Sequence, residues 1–468
     1  MAGWQGANDK GDPYPNIGIA YLVAALHRHG HEAVVLDMNN QSISDEQLIS
    51  CLDDTHVDLI GLSVKTATMA NARRIGLKIK ERFPSIPIIV GGPHVTVAAL
   101  DIFKEPWVDY VLLGEGEDVL PLLCTRFDNH LSINDLAAVI TRRENPAVLG
   151  ISAARVNNLD ELDFPDYNLF GAGVRNVLRS NYPLITSRGC PYKCTYCSVA
   201  KISGNRVRTR SPDNVIVELL QARERFGVTG FEIVDDSFNV DIVRAKAICN
   251  LLIEQRLEMT WSCPNGIRAD RVDSELAVLM KQAGCHFVMV GVESADPAIL
   301  ESVKKGESLT DIERGIHLLQ HAGLAVGGFF IIGLPGDSYA AQEVSAEFAR
   351  RNGIHAHFNM LVPYPGTDVH KWVCENGTFM TSIEEGVHFA DSSKKVMPVF
   401  ETADFTANER WRAYEMVHTR LAKFDMLIPK NAGKLTYDIR KLSLLARYDR
   451  RQLVSLIKRW FVENVCEF

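Results

Sequence analysis

The chain has 468 residues, 46% of them hydrophobic, and a formal net charge of −8. That length suits two or three domains with real cores, and the acidic balance argues against nucleic acid as the main partner. No apolar run is long enough for a membrane span and no signal-peptide pattern opens the chain. Its ten cysteines are too scattered for a disulfide scaffold, so a reducing, cytoplasmic setting is expected.

Apolar spacing predicts helices over Ile17–His29, Ser44–Leu52 and Met69–Arg82, and strands over Ala33–Asp37, Val57–Ser63, Ile86–Val90 and Tyr110–Leu113. Strands of near-continuous Val, Ile and Leu alternating with helices indicate a parallel, doubly wound α/β sheet. Ligands of such sheets bind beyond the carboxyl ends of the strands. Those ends hold Asp37, Ser63, Thr66, Gly91, Gly92 and the run Gly114-Glu115-Gly116-Glu117. The glycines also read plainly as turn residues. A strand expected before Asp12 is missing, because Met1–Gly11 is polar and glycine-rich. The acidic run Asp160–Tyr167 contains a proline and reads as a connection, so a first domain is placed at 1–130 and a linker at 131–180.

From Pro183 the pattern becomes strand, loop, helix, repeated. Strands are predicted at Leu184–Ser187, Gly230–Val234, Met259–Ser262, Phe287–Val290, Gly327–Ile332 and His357–Val362. Helices are predicted at Asp213–Phe226, Ile242–Glu254, Ser274–Ala283, Leu309–Ala322 and Ala340–Arg351. Polar groups gather after the strands: Asp235 and Asp236, Asn265 and Arg268, Glu293, Gly333–Asp337, and Tyr364–Thr367. Any one of them reads as a solvated loop residue, but convergence on one rim points to ligand binding. Cys249 and Cys285 read as core residues, while Cys263 ends a strand on the rim side. This domain spans 181–394. The remainder, 395–468, reads as helices at Ala407–Phe424 and Leu435–Phe461, the second with a basic face that is ordinarily solvated.

After the first of these strands comes Ser187-Arg-Gly-Cys-Pro-Tyr-Lys-Cys-Thr-Tyr-Cys-Ser198. An ordinary four-iron cluster takes four thiolates. Cys190, Cys194 and Cys197 supply three, which leaves one iron open to a small ligand. Zinc would want four ligands in paired clusters, and no second pair is present; Cys263 or Cys285 could join only through folding.

This loop, with aromatic Tyr196 before the third cysteine, resembles the signature of radical S-adenosylmethionine (SAM) enzymes. The resemblance implies a [4Fe-4S] cluster on Cys190, Cys194 and Cys197 whose open iron chelates SAM, inside a partial (β/α)6 barrel. It further implies that Asp235 or Asp236 holds the SAM amino group and Glu293 a ribose hydroxyl. Gly333 and the Tyr196 backbone would lie by the adenine, and Arg268 would meet either the SAM carboxylate or a substrate anion. Ile60-Gly-Leu-Ser63, Val90-Gly-Gly-Pro-His94 and Gly114-Glu-Gly-Glu117 together resemble the Rossmann-like cobalamin-binding domain upstream of one radical SAM subclass. There Gly91, Gly92, Gly114, Glu115 and Gly116 would border the corrin and its nucleotide tail, with Ser63 and Thr66 near that tail. Tyr14 stands where many cobalamin proteins carry a cobalt-ligating histidine, so no histidine ligand is expected, and His94 reads as a structural loop residue.

The family implies a methyltransferase that acts on an unactivated carbon or phosphorus centre of a small molecule, with flavodoxin or ferredoxin as an external electron donor. The alternatives are a radical oxidative cyclase or rearrangement enzyme with the same cofactors, or a non-catalytic corrinoid carrier. An RNA-modifying methylthiotransferase would need further N-terminal cysteines and a C-terminal RNA-binding barrel, and neither pattern is found.

Overall fold

The computed structural model describes residues 14–38, 43–136, 138–141, 152–386 and 397–425. The Met1–Gly11 stretch and the basic helix expected at Leu435–Phe461 lie outside the described residues. In the first domain, β1 (Ile60–Ser63), β2 (Ile88–Gly91), β3 (Tyr110–Leu112) and β4 (Val139–Thr141) form a sheet in that order. The first three strands are parallel and β4 runs antiparallel to β3. The sheet is therefore mixed at one edge, which the alternation of strands and helices did not reveal. The helix Met69–Arg82 buries Met69, Ile75 and Ile79 on one face, and Gly76 leaves room for the Trp107 ring where a β-carbon would collide.

Ala33–Asp37 is not a strand. It has the composition of one, but a strand needs a ladder partner, and among the described residues it has none. β1 is instead an edge, and Val34 is 62% exposed.

The second domain begins with β5 (Tyr182–Leu184), followed by a short antiparallel pair, β6 (Ser187–Arg188) and β7 (Arg208–Thr209). It continues through β8 (Gly230–Ile233), β9 (Thr260–Ile267), β10 (Cys285–Glu293), β11 (Ala325–Ile332) and β12 (His355–Met360). The order β12-β11-β10-β9-β8-β5 makes one parallel six-stranded sheet, with helices in the crossovers. Side chains alternate along each strand. Phe231, Trp261, Val288, Phe330 and Phe358 pack into the helix-covered core, while Glu232, Ser262, Met289, Phe329 and His357 take the other face. After β12, β13 (Gly377–Phe379) pairs with β14 (Phe400–Thr402), and the helix Ala407–Asp425 packs on β12 and the helix Tyr339–Arg351. Among the described residues no helix is long and apolar enough to cross a membrane.

Candidate cofactor site

Cys190, Cys194 and Cys197 sit half-buried in the loop after β6, close enough that Cys194 and Cys197 raise the Cys190 thiol and Cys197 that of Cys194. Burial is the larger cause and pushes the Cys190 thiol up to about 11. Coordination to iron would overcome that preference, since a bound thiol loses its proton. Among the described residues no three His, Cys, Asp or Glu side chains close on a single metal ion. A cube asks for something different, because its thiolates bind separate irons.

The backbone of the loop is pinned at several points. Cys190 N–H donates to Gly204 O (3.2 Å), Thr195 N–H to Val303 O (3.0 Å), and Val369 N–H to Thr195 O (3.0 Å). Gly189 has φ +92°, and any β-carbon there would strike the Arg206 carbonyl. The Thr195 and Ser237 hydroxyls are buried on this rim without hydrogen-bond partners, which leaves polar groups for a ligand such as SAM.

The carboxylates at the strand ends serve mainly as struts. Asp235 accepts from Thr186 N–H (2.6 Å), Thr186 Oγ1 (2.6 Å) and Ser187 Oγ (2.7 Å), which ties the end of β8 to the start of the cysteine loop. Burial raises its carboxyl, opposed by buried Arg244. Asp236 accepts from Gly189 N–H (2.8 Å), directly before Cys190. Asn265 donates to Val234 O (2.8 Å). Asp337 accepts from Gly333 N–H (2.6 Å), Gln342 Nε2 (2.7 Å) and Ser338 N–H (2.7 Å). Room beside Gly333, expected to face the adenine, is taken by the guanidinium of Arg410, 2.7 Å from where a β-carbon would stand.

Glu293 has φ +64°, uncommon for a residue with a side chain, and pairs with Lys305 Nζ at 3.0 Å. Lys305 also faces Glu307 (3.4 Å) and bears electrostatically on Cys194. Arg268 grips Asp270 with two bonds of 2.9 and 3.0 Å and donates to the carbonyls of Lys305 and Gly306 (2.9 Å each). Its guanidinium lies over the Tyr192 ring at 3.7 Å. Tyr196 is held in an apolar cluster, with its hydroxyl against the Cys194 thiol. Cys263 is core, 2% exposed, and burial keeps its thiol protonated.

At the N-terminal strand ends, Ser63 is exposed and meets Asn16 Nδ2 at only 3.4 Å. Thr66 Oγ1 bonds His94 Nδ1 (3.1 Å), while His94 Nε2 is buried without a hydrogen bond and faces Glu384 Oε1 at 3.8 Å. Burial lowers the pKa of this imidazole and keeps it neutral. Gly92, at φ +102°, lets the backbone of Val64 approach, and Gly91 has its nearest neighbours 3.7 Å or more from a would-be β-carbon. An exposed hydroxyl and the uncrowded Gly91 fit a bound nucleotide-like group.

Gly114–Gly116 does not share that openness, and here the structure corrects the expectation. The Ala154 backbone occupies the space at Gly114, and Leu22 that at Gly116. The Glu115 carboxylate is taken by Arg208 and by Val156 N–H (2.8 Å). Tyr14, at the expected histidine position, donates to Glu232 Oε1 (3.2 Å) and accepts from Asn181 Nδ2 (3.2 Å).

Residues 7–124 match the model of the B12 binding domain, and residues 184–349 that of the radical SAM superfamily. The chain thus carries a B12-binding domain followed by a radical SAM domain. An uncharacterized methyltransferase of Pyrococcus horikoshii is 28% identical over 78% of this chain and 80% of its own length. The cytidylyl-2-hydroxyethylphosphonate methyltransferase of Streptomyces wedmorensis is 27% identical over 76% and 77%. The anaerobic magnesium-protoporphyrin IX monomethyl ester cyclase of Synechocystis is 26% identical over 65% and 62%. Among solved structures, the radical SAM methyltransferase TsrM from Kitasatospora setae has the same fold, with a TM-score of 0.68 at 19% identity over 80% of this chain and 77% of that one.

In this radical SAM protein, sequence reading missed Lys305, Glu307, Arg188, Arg208 and the role of Glu117. Arg188 stands within the quoted cysteine run and could have been singled out. Lys305-Gly-Glu307 looks like any solvated turn until Arg268 closes over it.

Proposed function

We propose that the chain methylates an unactivated carbon or phosphorus centre of a small molecule. The observation that carries this reading is the direct joining of the cysteine loop to the strand-end loop of the B12-binding domain, by Arg188 on Glu117 at 2.7 Å. Two reactive centres that must act on one substrate have to share one water-poor space. When bound, the cluster with SAM supplies a carbon radical and cobalamin supplies a methyl group. Cys190, Cys194 and Cys197 would hold three irons. Asp235 and Asp236 fix the loop that carries them, and the Thr195 and Ser237 hydroxyls are the free polar groups at that rim. Met289, Phe329 and His357, on the sheet face away from the helices, would exclude water around the substrate. The electron would come from an external donor such as flavodoxin or ferredoxin, in a reducing compartment.

Methylation is favoured over cyclisation because this chain spans 80% and 77% of the length of two methyltransferases it matches, against 62%, 66% and 59% of three cyclases. The test is incubation with methyl-labelled SAM, reductant and candidate metabolites. Label is expected in the product; turnover with label only in methionine would replace methyl transfer by cyclisation or rearrangement.

A further inference from the structure

Arg188 lies two residues before Cys190, and Arg208 is its direct cross-strand partner in the β6–β7 ladder. Both are largely buried, their side chains 11% and 13% exposed. Like charges placed directly opposite each other destabilise a strand pair. The hairpin that brackets the cysteine loop is thus self-repelling on its own.

The other domain supplies the compensation. Glu117 Oε1 accepts from Arg188 Nη2 at 2.7 Å, and Glu115 Oε2 stands 3.4 Å from Arg188 Nη1. Both oxygens of Glu115 accept from Arg208, at 2.5 and 2.7 Å. Tyr21 of the helix Ile17–Arg28 lies under the Arg188 guanidinium at 5.1 Å. The linker is drawn in as well: Val156 N–H donates to Glu115, Arg208 also donates to Val156 O, and Gly114 bridges Ala154.

We propose that Arg188 and Arg208 are positioning residues through which the Glu115–Glu117 loop of the B12-binding domain sets the geometry of Cys190. One shoulder of the cluster loop is then built by the cofactor domain, and the environment of the cluster follows the state of that domain. This rests on the cluster reading above and deepens it, since it names which contacts couple the two cofactor sites. Charge-assisted bidentate bonds suit the task because they fix direction as well as distance.

The experiment uses the full-length chain, reconstituted anaerobically with iron and sulfide. Glu117→Gln, Arg188→Lys and the charge-exchanged pair Glu117→Arg/Arg188→Glu are compared with wild type, and Glu313→Gln, which pairs with exposed Arg351, serves as control. Three quantities are read: the rate of iron loss to a chelator, the electron paramagnetic resonance spectrum of the reduced cluster, and the change in that spectrum on adding cobalamin. Iron loss is expected to be roughly tenfold faster in Glu117→Gln and Arg188→Lys, the loss of one charge-assisted pair. Their spectra should differ from wild type and cease to respond to cobalamin, while the control behaves as wild type. Folded single variants with wild-type iron retention and wild-type spectra overturn the inference. If the single variants fail to fold, the exchanged pair decides: recovery of fold, spectrum and cobalamin response supports the coupling, and a pair that also fails to fold, or folds without recovering the spectrum and the response, overturns it. A wild-type chain that takes up no cluster is a different result and overturns the cluster reading itself.

Discussion

At the end of β8, Asp235 is 2% exposed and accepts three hydrogen bonds from Thr186 and Ser187; at the end of β1, Ser63 is exposed and has one long contact to Asn16. The same contrast runs along both sheets. Barrel strand ends carry carboxylates already consumed by backbone and side-chain donors, as Asp236 is by Gly189 and Asp337 by Gly333. The N-terminal ends carry small residues such as exposed Ser63 and Gly91, where a β-carbon would meet nothing nearer than 3.7 Å, and a ring nitrogen of His94 that faces Glu384 only at 3.8 Å. Polar residues on a rim are therefore of two kinds. Some hold loops so that other groups meet a ligand, and some are left for the ligand itself. The two kinds are separable by measurement, because a strut shows its value in the empty protein and a contact only in the loaded one.

The strongest test of that division is Asp235→Ala. Removing this carboxylate leaves Thr186 N–H without an acceptor and strips buried Arg244 of the anion that bears on it most strongly. Each buried donor left without its acceptor costs about 1–3 kcal/mol, and three are left here. Denaturant unfolding of the cofactor-free protein should show that loss, and reconstitution should fail to retain iron. A variant of wild-type stability whose only defect is weaker SAM binding would make Asp235 a ligand contact and erase the contrast.

Asp337 gives a middle-sized effect with a defined sign. Burial raises its carboxyl from 3.8 to about 6, against the pull of its three donors and Arg410. Between those values the folded protein binds more protons than the unfolded chain, so this group's contribution to stability falls as pH rises and is lost above about 6. From pH 7.5 down to pH 5 the wild type should gain about 1.4 kcal/mol relative to Asp337→Asn, which lacks the titration. Urea unfolding of both proteins at the two pH values measures it. A difference independent of pH would mean an ordinary, solvated carboxylate, and Asp337 would leave the class of struts.

What could be read from the sequence was what is encoded locally. The helix Ile242–Glu254 has its N-cap, Asp241, accepting from Arg244 N–H, and its apolar period continues to the last turn. The three cysteines and the strand-end positions of Asp235 and Glu293 were equally legible, because spacing alone sets them. Roles that depend on distant partners were not. Asp235 is a strut because Thr186 lies 49 residues earlier in the chain, and Lys305 is buried because Arg268, 37 residues away, closes over its carbonyl. Ala33–Asp37 failed for the same reason in reverse: its composition is that of a strand, but a strand is a relation between two segments. Gly114 was read as a glycine that borders a corrin, and only the structure shows that the backbone of Ala154 fills the space beside it.

The smallest predicted effect sharpens the comparison from its open side. Ser63 is exposed at the end of β1, and its contact with Asn16 is at the limit of a hydrogen bond. Ser63→Ala should therefore leave the stability of the empty protein within about 0.5 kcal/mol of wild type. If the hydroxyl meets the nucleotide tail of cobalamin, its loss removes one hydrogen bond from the loaded state alone. That is worth about 1 kcal/mol, or roughly a fivefold weaker affinity. Titration of cobalamin into both proteins, followed by the corrin absorption spectrum, measures the difference. Equal affinity would take Ser63 out of the site. Equal affinity with reduced stability would make it a strut, and the N-terminal strand ends would then be built like those of the barrel.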